Sequence, residues 1–378
     1  MRNKVIGVIF LAYIFVFSFG YFIVKDRDFS ELENRTLSGI PKVTVKSLVN
    51  GEFSDMVETY LEDQLPGKDL FVKINTEGRL MLGQTYMNGV YFGENNRMFR
   101  EYVDCTTQLE KNISYINEFT AANPEFDCTF MLAPNACYIY GEDLPCYVAA
   151  MDQSMGMDKA EMQISSDIRF VDCREALLGA KAQLAEKDEA DTLYYKTDHH
   201  WTMDGAYVCY VELCKALGIE ANDISTYTIW QDENEFYGTV FSDAPSFHVS
   251  EDYIKIFINP NGVYEVTYAD TGKTYDTMYQ TDNLEKKDKY TVYLDGNHSN
   301  TIIKSNADND KKLLIVKDSY AHCLVPLLAD HYSEIHMVDL RYFHHSISDL
   351  AYRENIQDVL FIHNLEFLST DNNFLWLQ

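Results

Sequence analysis

The chain has 378 residues, of which 46% are hydrophobic and 14% aromatic. This composition excludes an intrinsically disordered protein, and the length allows one large domain or two modest domains with a sizeable buried core. The 59 acidic and 31 basic side chains give a formal net charge of −28, which repels phosphate backbones and argues against a nucleic-acid partner.

Residues 1–24 are predicted to form a membrane anchor. A basic N-terminus precedes an uncharged run over residues 5–24, and a helix of about 20 residues is long enough to cross the bilayer core. The small-x-small triplet at 18–20 offers an alternative, in which signal peptidase releases a secreted form. Because the apolar run continues beyond this triplet, we favour an uncleaved signal anchor in the cell membrane, with the bulk of the chain extracytoplasmic.

The eight cysteines contain no Cys-x-x-Cys pair, which argues against a zinc ribbon or a thioredoxin-like site. Outside the cytoplasm, disulfides are allowed. Cys137 and Cys146 flank a turn-like segment and are the best candidates for a local pair. Others, such as Cys209 and Cys214, lie in apolar surroundings that are typical of buried free thiols.

A membrane-proximal lead-in is predicted over residues 25–100, with an amphipathic helical stretch at 53–61. From residue 101 onward, short apolar strands alternate with helices, which is the pattern of a mainly parallel sheet flanked by helices. The first strands are predicted at 126–132 and 168–171. Helices are predicted at 174–186 and 204–217, and Gly218 ends the second of them.

A β-rich insertion is predicted at about 220–300, where short alternating runs are separated by turn residues. The α/β pattern then resumes with a strand at 313–316, a helix at about 319–329, and strands at 335–338 and 359–362. Residues 101–378 are therefore predicted to form one α/β catalytic domain that carries the insertion.

The most informative motif is Asp198-His199-His200-Trp201, which follows a strand predicted at 192–195. In extended backbone, successive side chains alternate faces, so Asp198 and His200 would point the same way and His199 the other. The carboxylate could then orient His200 and leave its other ring nitrogen to accept a proton from a nucleophile. His199 and Trp201 are predicted to support the loop.

Ser319 is predicted to be the nucleophile. It follows the strand at 313–316 and precedes a predicted helix, and a serine at such a junction is exposed at the carboxyl edge of a parallel sheet. The alternative role is a helix cap. Because the chain also carries the Asp-x-His motif, we predict that Ser319, His200 and Asp198 form a catalytic triad.

Two places could stabilise an oxyanion. One is the start of the predicted helix after Ser319, where the backbone N–H of Tyr320 is available. The other is Gly296-Asn297, where glycine permits close backbone approach and the Asn297 amide could donate. An ordinary turn explains the second segment equally well.

The Asp198-to-Trp201 motif is the signature for which the DHHW family is named, and the chain resembles that family. It is also similar to the alginate O-acetyltransferases of bacterial exopolysaccharide export, whose catalytic domain is SGNH-hydrolase-like. Those proteins carry Asp-x-His-Trp followed much later by a strand-Ser-helix element, which Ser319 matches. The resemblance extends over residues 30–378 and includes Glu33-Asn34-Arg35 and the segment 236–239.

The resemblance implies an SGNH-hydrolase-like sheet that is circularly permuted, because Asp and His precede Ser here. Lys317-Asp318-Ser319 stands where those hydrolases usually have Gly-Asp-Ser. The implied activity is O-acetylation of a cell-envelope or secreted polysaccharide through an acyl-enzyme. The implied partners are the polysaccharide acceptor and a membrane-bound O-acyltransferase that supplies the acyl group. No cofactor is expected for this chemistry.

Three alternatives stay open at this point. A carbohydrate esterase would use the same triad and the same acyl-enzyme. A non-catalytic polysaccharide-binding protein would carry a decayed site. A metal site could use Asp198, His199 and His200, but neighbouring residues of a strand face opposite sides and rarely share an ion. Further candidate ligands for a metal are His322, His331, His336, His344 and His345.

Overall fold

The computed structural model describes residues 2–103, 105–148, 152–187 and 189–377. They form two compact units, which are described separately. The first unit extends to Asn88 and includes Phe241–His248, and the second comprises Gly89–Val240 and the residues from Val249 onward. The boundary predicted near residue 100 and the insertion predicted at 220–300 stay predictions.

The first unit begins with helix α1 (Arg2–Ile23). Among the described residues, α1 contains the one segment that is long and apolar enough to cross a membrane, Val5–Ile23, with a mean hydropathy of 2.3. A cleaved signal peptide would have the same length and apolar character, so the helix is compatible with both the uncleaved anchor and the cleaved form. The unit also contains β1 (Phe29–Ser30), β2 (Arg35–Thr36), α2 (Val45–Val49), α3 (Glu52–Asp63), α4 (Lys68–Met81) and β3 (Tyr86–Met87).

Asp63, at the end of α3, holds the lead-in segment together. Its carboxylate accepts hydrogen bonds from Arg35 at 2.5 Å, from the Ser38 backbone at 2.9 Å and from Lys68 at 3.1 Å. The hydrogen bond from Arg35 outweighs burial and holds the pKa of Asp63 well below its usual range. The Arg35 that contributes to the family resemblance therefore has a structural role in this unit.

The second unit is built on an eight-stranded sheet in the order β11-β10-β12-β14-β13-β15-β6-β7. The pairs from β14 to β7 are parallel, whereas β12, β10 and β11 extend the sheet in antiparallel fashion. These strands are β6 (Asp127–Ala133), β7 (Arg169–Asp172), β10 (Tyr264–Tyr268), β11 (Lys273–Tyr275), β12 (Asn300–Ser305), β13 (Lys312–Lys317), β14 (Glu334–Val338) and β15 (Asp358–Asn364). The predicted α/β fold with a large, mostly parallel sheet is confirmed.

Two antiparallel strand pairs and nine α-helices are the other main elements in the described part of this unit. The paired strands are β4 (Val90–Phe92) with β5 (Met98–Arg100), and β8 (Thr228–Gln231) with β9 (Lys255–Ile258). The helices are α5 (Thr106–Ala122), α6 (Ala136–Ile139), α7 (Ser154–Gln163), α8 (Arg174–Ala185), α9 (Met203–Leu217), α10 (Thr239–Asp243, whose last three residues belong to the first unit), α11 (Ala321–Leu328), α12 (Ile347–Glu354) and α13 (Leu365–Thr370).

The local signals in the sequence explain the elements next to the site. Helix α9 begins after Thr202, whose hydroxyl accepts from the Gly205 backbone, and ends at Gly218 with a φ of 67°. Strand β13 lies between β14 and β15, and its residues Leu313–Val316 are buried. A continuous apolar run is what a strand covered on both faces requires. The strand ends at Lys317, two residues before Ser319.

Candidate active site

The Asp198-to-Trp201 segment is a bent loop and not the extended segment that the sequence predicted. The strand predicted at 192–195 is also wrong, since this stretch contributes only an isolated bridge at Tyr194. Tyr194 and Trp201 form an isolated antiparallel bridge, and the chain turns between them. The turn is stabilised by Asp198 Oδ1, which accepts from the His200 backbone N–H at 3.0 Å. The predicted alternation of faces is therefore wrong, because the rings of His199 and His200 lie side by side with centroids 3.8 Å apart.

Asp252 holds the start of this loop. Its carboxylate accepts from the backbone N–H groups of Lys196 and Thr197, both at 2.8 Å, and from the Thr197 hydroxyl at 2.6 Å. Burial raises the pKa of Asp252 to about 6. The sequence analysis missed Asp252, since an acidic residue in a polar stretch has no pattern that distinguishes it from a solvated one.

The structure brings together the three side chains that were predicted to form the triad. Asp198 Oδ1 lies 2.5 Å from His200 Nδ1, and His200 Nε2 lies 2.7 Å from Ser319 Oγ. A carboxylate only accepts, so His200 Nδ1 carries the proton and Nε2 presents its lone pair to the Ser319 hydroxyl. Asp198 and His200 are buried, whereas Ser319 is half-buried and accessible.

The second oxygen of Asp198 is held by the start of α10. Oδ2 accepts from the Thr239 backbone N–H at 2.8 Å and from its hydroxyl at 3.1 Å. Gly238 is needed here, because a Cβ at that position would collide with the Asp198 side chain. Burial alone would raise the pKa of Asp198, but the adjacent imidazoles and these hydrogen bonds hold it well below its usual range.

Ser319 lies in a tight turn between β13 and α11. Asp318 Oδ1 accepts from the Tyr320 backbone at 2.8 Å, and Oδ2 accepts from the Asn364 backbone and side chain, both at 2.7 Å. Burial raises the pKa of Asp318 to about 6. Helix α11 begins at Ala321, two residues later than predicted. The Ser319 hydroxyl contacts His200 and does not cap this helix.

Trp201 and Tyr320 join the Asp198 loop to the Ser319 turn. Trp201 Nε1 donates to the Tyr320 carbonyl at 3.0 Å, and the Tyr320 hydroxyl donates to the His199 carbonyl at 2.5 Å. Asn135 Nδ2 donates to the same hydroxyl at 3.0 Å. Trp201 was predicted to support the loop. In the structure it does so through a direct hydrogen bond to Tyr320, the residue that follows Ser319.

Tyr290 is a second residue that the sequence analysis missed. Its ring is stacked on the His200 imidazole, with centroids 3.7 Å apart and an angle of 7° between the planes. Its hydroxyl donates to the Ser319 carbonyl at 3.1 Å. Burial raises the pKa of Tyr290 well above its usual range, so the phenol stays neutral. One side chain therefore contacts both His200 and the serine loop.

Among the described residues, none of the predicted oxyanion donors is hydrogen-bonded to the Ser319 hydroxyl. The Tyr320 N–H is used by Asp318, and the Gly296 N–H donates to the Tyr293 carbonyl at 3.2 Å. Asn297 Oδ1 accepts from Lys317 at 2.9 Å and from Arg341 at 3.1 Å. Within the described residues, neither Gly296 nor Asn297 is hydrogen-bonded to Ser319.

Lys317 is the centre of a buried polar cluster beneath the serine turn. Its Nζ lies 2.9 Å from Asp339 Oδ2 and 2.8 Å from His322 Nε2. Burial lowers the pKa of Lys317, although Asp339 opposes this effect. The charges of Lys317 and Arg341 outweigh burial at Asp339 and lower its pKa to about 2.

All eight cysteines are free thiols in the structure. The predicted local pair is therefore wrong: Cys137 is buried in the core, whereas Cys146 is exposed. Cys209 and Cys214 are buried, as predicted from their apolar surroundings.

The motif brings potential metal ligands together, since one ligand atom from each of Asp198, His199 and His200 lies within 4.8 Å of the others. The sequence argument against such a site depended on opposite faces of a strand, and it does not hold in a bent loop. A different argument replaces it. Both ring nitrogens of His200 and Nδ1 of His199 already have hydrogen-bond partners, which an ion would have to displace.

Fold and site together define a class of protein: an α/β protein with serine, histidine and aspartate in hydrogen-bond contact beside the carboxyl end of a central parallel strand. A model of the DHHW protein family matches residues 180–338, which contain the bent loop and Ser319. The resemblance to the DHHW family is therefore confirmed over these residues.

Two solved structures share the fold. A DHHW family protein from Eubacterium siraeum has a TM-score of 0.63 and 23% sequence identity, covering 77% of this chain and 95% of that one. PatB1 of Bacillus cereus, solved with a sulfonyl adduct, has a TM-score of 0.63 and 19% identity, covering 76% of this chain and 98% of that one.

A more distant structure is the O-acetyltransferase domain of Pseudomonas putida AlgJ, with a TM-score of 0.46 and 14% identity, covering 75% of this chain and 93% of that one. No curated protein sequence matches the chain.

Proposed function

We propose that this chain is an extracytoplasmic O-acetyltransferase that modifies a cell-envelope or secreted polysaccharide. The observation that carries the proposal is the continuous hydrogen-bond chain from Asp198 through His200 to Ser319, with 2.5 Å and 2.7 Å between the bonded atoms. A serine hydroxyl in contact with a carboxylate-oriented imidazole is the arrangement that activates serine for acyl transfer.

In the first half-reaction, Ser319 Oγ attacks the carbonyl carbon of an acetyl donor while His200 Nε2 takes the hydroxyl proton. The tetrahedral intermediate collapses, the leaving group departs with the proton from His200, and an acetyl ester stays on Ser319. In the second half-reaction, a sugar hydroxyl gives its proton to His200 and attacks this ester. The acetyl group is transferred, and His200 returns the proton to Ser319.

The oxyanion of each tetrahedral intermediate needs donors near Ser319. The backbone N–H of Ser319 makes no hydrogen bond within the described residues, so it is free to donate. Asn297 is the second proposed donor, because Lys317 and Arg341 hold its side-chain oxygen and leave its NH₂ group available. The Tyr320 and Gly296 N–H groups already have partners and are weaker candidates.

We further propose that the sheet is an SGNH-hydrolase-like sheet in circularly permuted order. The support is that Ser319 follows β13, a central strand, whereas the loop with Asp198 and His200 comes earlier in the chain. Triads are recognised by geometry and not by chain order, so the permutation leaves the proposed chemistry unchanged.

The proposed acetyl donor is a partner membrane protein, a membrane-bound O-acyltransferase, because acetyl coenzyme A is not expected outside the cytoplasm. Helix α1 supports this location, since its apolar segment is long enough to anchor the chain in a bilayer. The proposed acceptor is a hydroxyl group of a polysaccharide.

The test uses the full-length protein in detergent with p-nitrophenyl acetate as acetyl donor. Ser319→Ala should lower p-nitrophenol release by a factor of about 10³ or more, because no other nucleophile replaces the serine. Ser346→Ala is the matched control, since the exposed Ser346 caps α12 and its hydroxyl otherwise contacts that of Ser348. A sulfonyl fluoride should label Ser319, and the PatB1 structure with a sulfonyl adduct recommends this probe.

An unchanged rate for Ser319→Ala, or a label on another residue, would contradict the proposal. The esterase alternative uses the same acetyl-enzyme and differs only in the acceptor. Mass spectrometry of the products separates the two: acetylated oligosaccharide indicates transfer, whereas acetate alone at every acceptor concentration indicates hydrolysis.

A further inference from the structure

His199, the first histidine of the motif, has one ring nitrogen that the triad does not use. Its Nδ1 lies 2.8 Å from Thr239 Oγ1, and this hydroxyl donates its single proton to Asp198 Oδ2. Thr239 Oγ1 must therefore accept from His199, so the proton of the neutral ring is on Nδ1. His199 Nε2 consequently carries a lone pair and accepts hydrogen bonds.

The Nε2 atom of His199 makes no hydrogen bond within the described residues, and its side chain is 20% exposed. The ring lines a small hollow of about 20 Å³, which has room for a single hydroxyl group or water molecule. Other residues that line the hollow are Met98, Arg100, Asn135, Cys137 and Glu366.

The position of this ring relates it to the proposed chemistry. Its centroid is 3.8 Å from that of His200, whose Nε2 contacts Ser319. Burial and the adjacent His200 hold the pKa of His199 well below its usual range, so the ring stays neutral and keeps its acceptor. A neutral acceptor next to the base suits a ligand that offers a hydroxyl group.

We propose that His199 Nε2 binds a second hydroxyl of the acceptor, next to the hydroxyl that receives the acetyl group. The inference depends on the proposed function and specifies its acceptor as a polyol such as a sugar. His199 forms no covalent bond in this scheme, and the proton of the attacking hydroxyl still goes to His200. His199 is therefore a residue that determines acceptor preference, whereas the acetyl donor does not need it.

The experiment compares two small acceptors on the acetyl-enzyme formed by full-length protein from p-nitrophenyl acetate. Glycerol offers a neighbouring hydroxyl to His199, and methanol offers none. The wild type should favour glycerol over methanol at equal concentration by about tenfold, the contribution of one hydrogen bond. His199→Asn should abolish this preference, since the asparagine amide can replace Nδ1–H toward Thr239 but has no atom at the Nε2 position.

In His199→Asn, transfer to glycerol should fall about tenfold more than hydrolysis and transfer to methanol do, because the hydrogen bond to Thr239 is kept and the Nε2 acceptor is lost. His199→Gln is the second variant, since its amide oxygen reaches the Nε2 position and should restore part of the glycerol preference. Thermal unfolding of each variant verifies that it is folded.

Three results separate the outcomes. A wild type without glycerol preference, or a preference that survives in His199→Asn, overturns the inference. Equal losses of hydrolysis and of both transfer reactions would mean that His199 only supports the triad, which overturns it as well. Activity that persists in Ser319→Ala would instead refute the proposed function itself.

Discussion

At the scale of single residues, Tyr290 shows how the site depends on a contact between distant parts of the chain. Its ring covers one face of His200, and its hydroxyl reaches the backbone of Ser319. In the proposed mechanism His200 takes the proton from Ser319, and the electron-rich face of the phenol then lies against the new positive charge. Such contacts stabilise a cation by about 0.5–2 kcal/mol.

We expect Tyr290→Leu to lower kcat for p-nitrophenyl acetate by about tenfold with little change in KM, because the stacked ring acts after substrate has bound. Tyr290→Phe keeps the ring and should retain most of the rate. Tyr279→Phe removes another buried hydroxyl, which donates to the Phe257 carbonyl at 2.7 Å, and serves as the control. A kcat that falls equally in the Phe and Leu variants would contradict the role of stacking.

The three residues of the proposed triad, which the structure brings into contact, could be selected from the sequence because each belongs to a local pattern: an acid two residues before a histidine, and a serine after an apolar strand. Their supporting residues could not. Asp252 lies 55 positions from Thr197, and Thr239 lies 41 positions from Asp198. Such contacts are made by the tertiary fold, and a single polar residue in a loop has no periodicity that identifies its partner.

At the scale of elements, the carboxyl ends of β13 and β14 are joined by an ion pair. Lys317 is the last residue of β13, and Asp339 follows β14. Their side chains are 3% and 0% exposed, and Arg341 also contacts Asp339. Removing one partner of such a buried ion pair strongly destabilises the fold, because the remaining charge is left without a counter-charge.

Asp339→Asn should therefore lower the free energy of unfolding at neutral pH by about 3–5 kcal/mol. The pKa of Asp339 in the folded state is about 2, below its ordinary value of 3.8. Its stabilising contribution is thus complete above about pH 4 and is lost as the pH falls through 2. Urea unfolding between pH 7 and 2 measures both effects.

The wild type should lose more stability than Asp339→Asn as the pH falls from 4 to 2. Asp349→Asn, an exposed change in the first turn of α12, is the control and should follow the wild type. Identical pH dependence in wild type and Asp339→Asn would contradict the prediction.

Most of the predicted strands and helices of the second unit lie within a few residues of observed ones, whereas α7, α12 and α13 were not predicted and the loop that carries the motif was predicted wrongly. The predicted strand at 313–316 is β13, and the predicted helix at 204–217 is α9. Apolar runs and caps define such elements locally. The Asp198 loop bends because its own carboxylate captures the His200 N–H, a local hydrogen bond that competes with extended backbone.

At the scale of the whole molecule, the proposed function requires the site to be held outside the cytoplasm. Helix α1 has exposed apolar side chains along its length, among them Leu11 at 66% and Phe15 at 71%. A soluble protein rarely exposes such a surface, and a bilayer would cover it. The cleaved and the anchored forms differ in whether this helix persists in the mature protein.

We predict that the mature protein keeps helix α1, detected by mass spectrometry of its N-terminal peptide, and stays with the membrane in a carbonate wash. Leu11→Arg combined with Phe15→Arg should release it, because each arginine near the helix centre costs about 2.5–3.5 kcal/mol in the bilayer. Ile40→Arg with Val43→Arg changes exposed residues outside α1 and should leave retention unchanged. A mature chain that lacks its first 20 residues would identify a cleaved signal peptide instead.

The closeness of Gly238 to Asp198 offers a diagnostic for other chains. Any side chain at the position of Gly238 would push the aspartate away from its imidazole, even if every residue of the motif were intact. If the proposed function is correct, a protein with Asp-His-His-Trp but a larger residue at this position would bind the polysaccharide without acetylating it. A glycine outside the motif is thus expected to separate the proteins that can catalyse acetyl transfer from those that carry the motif but cannot.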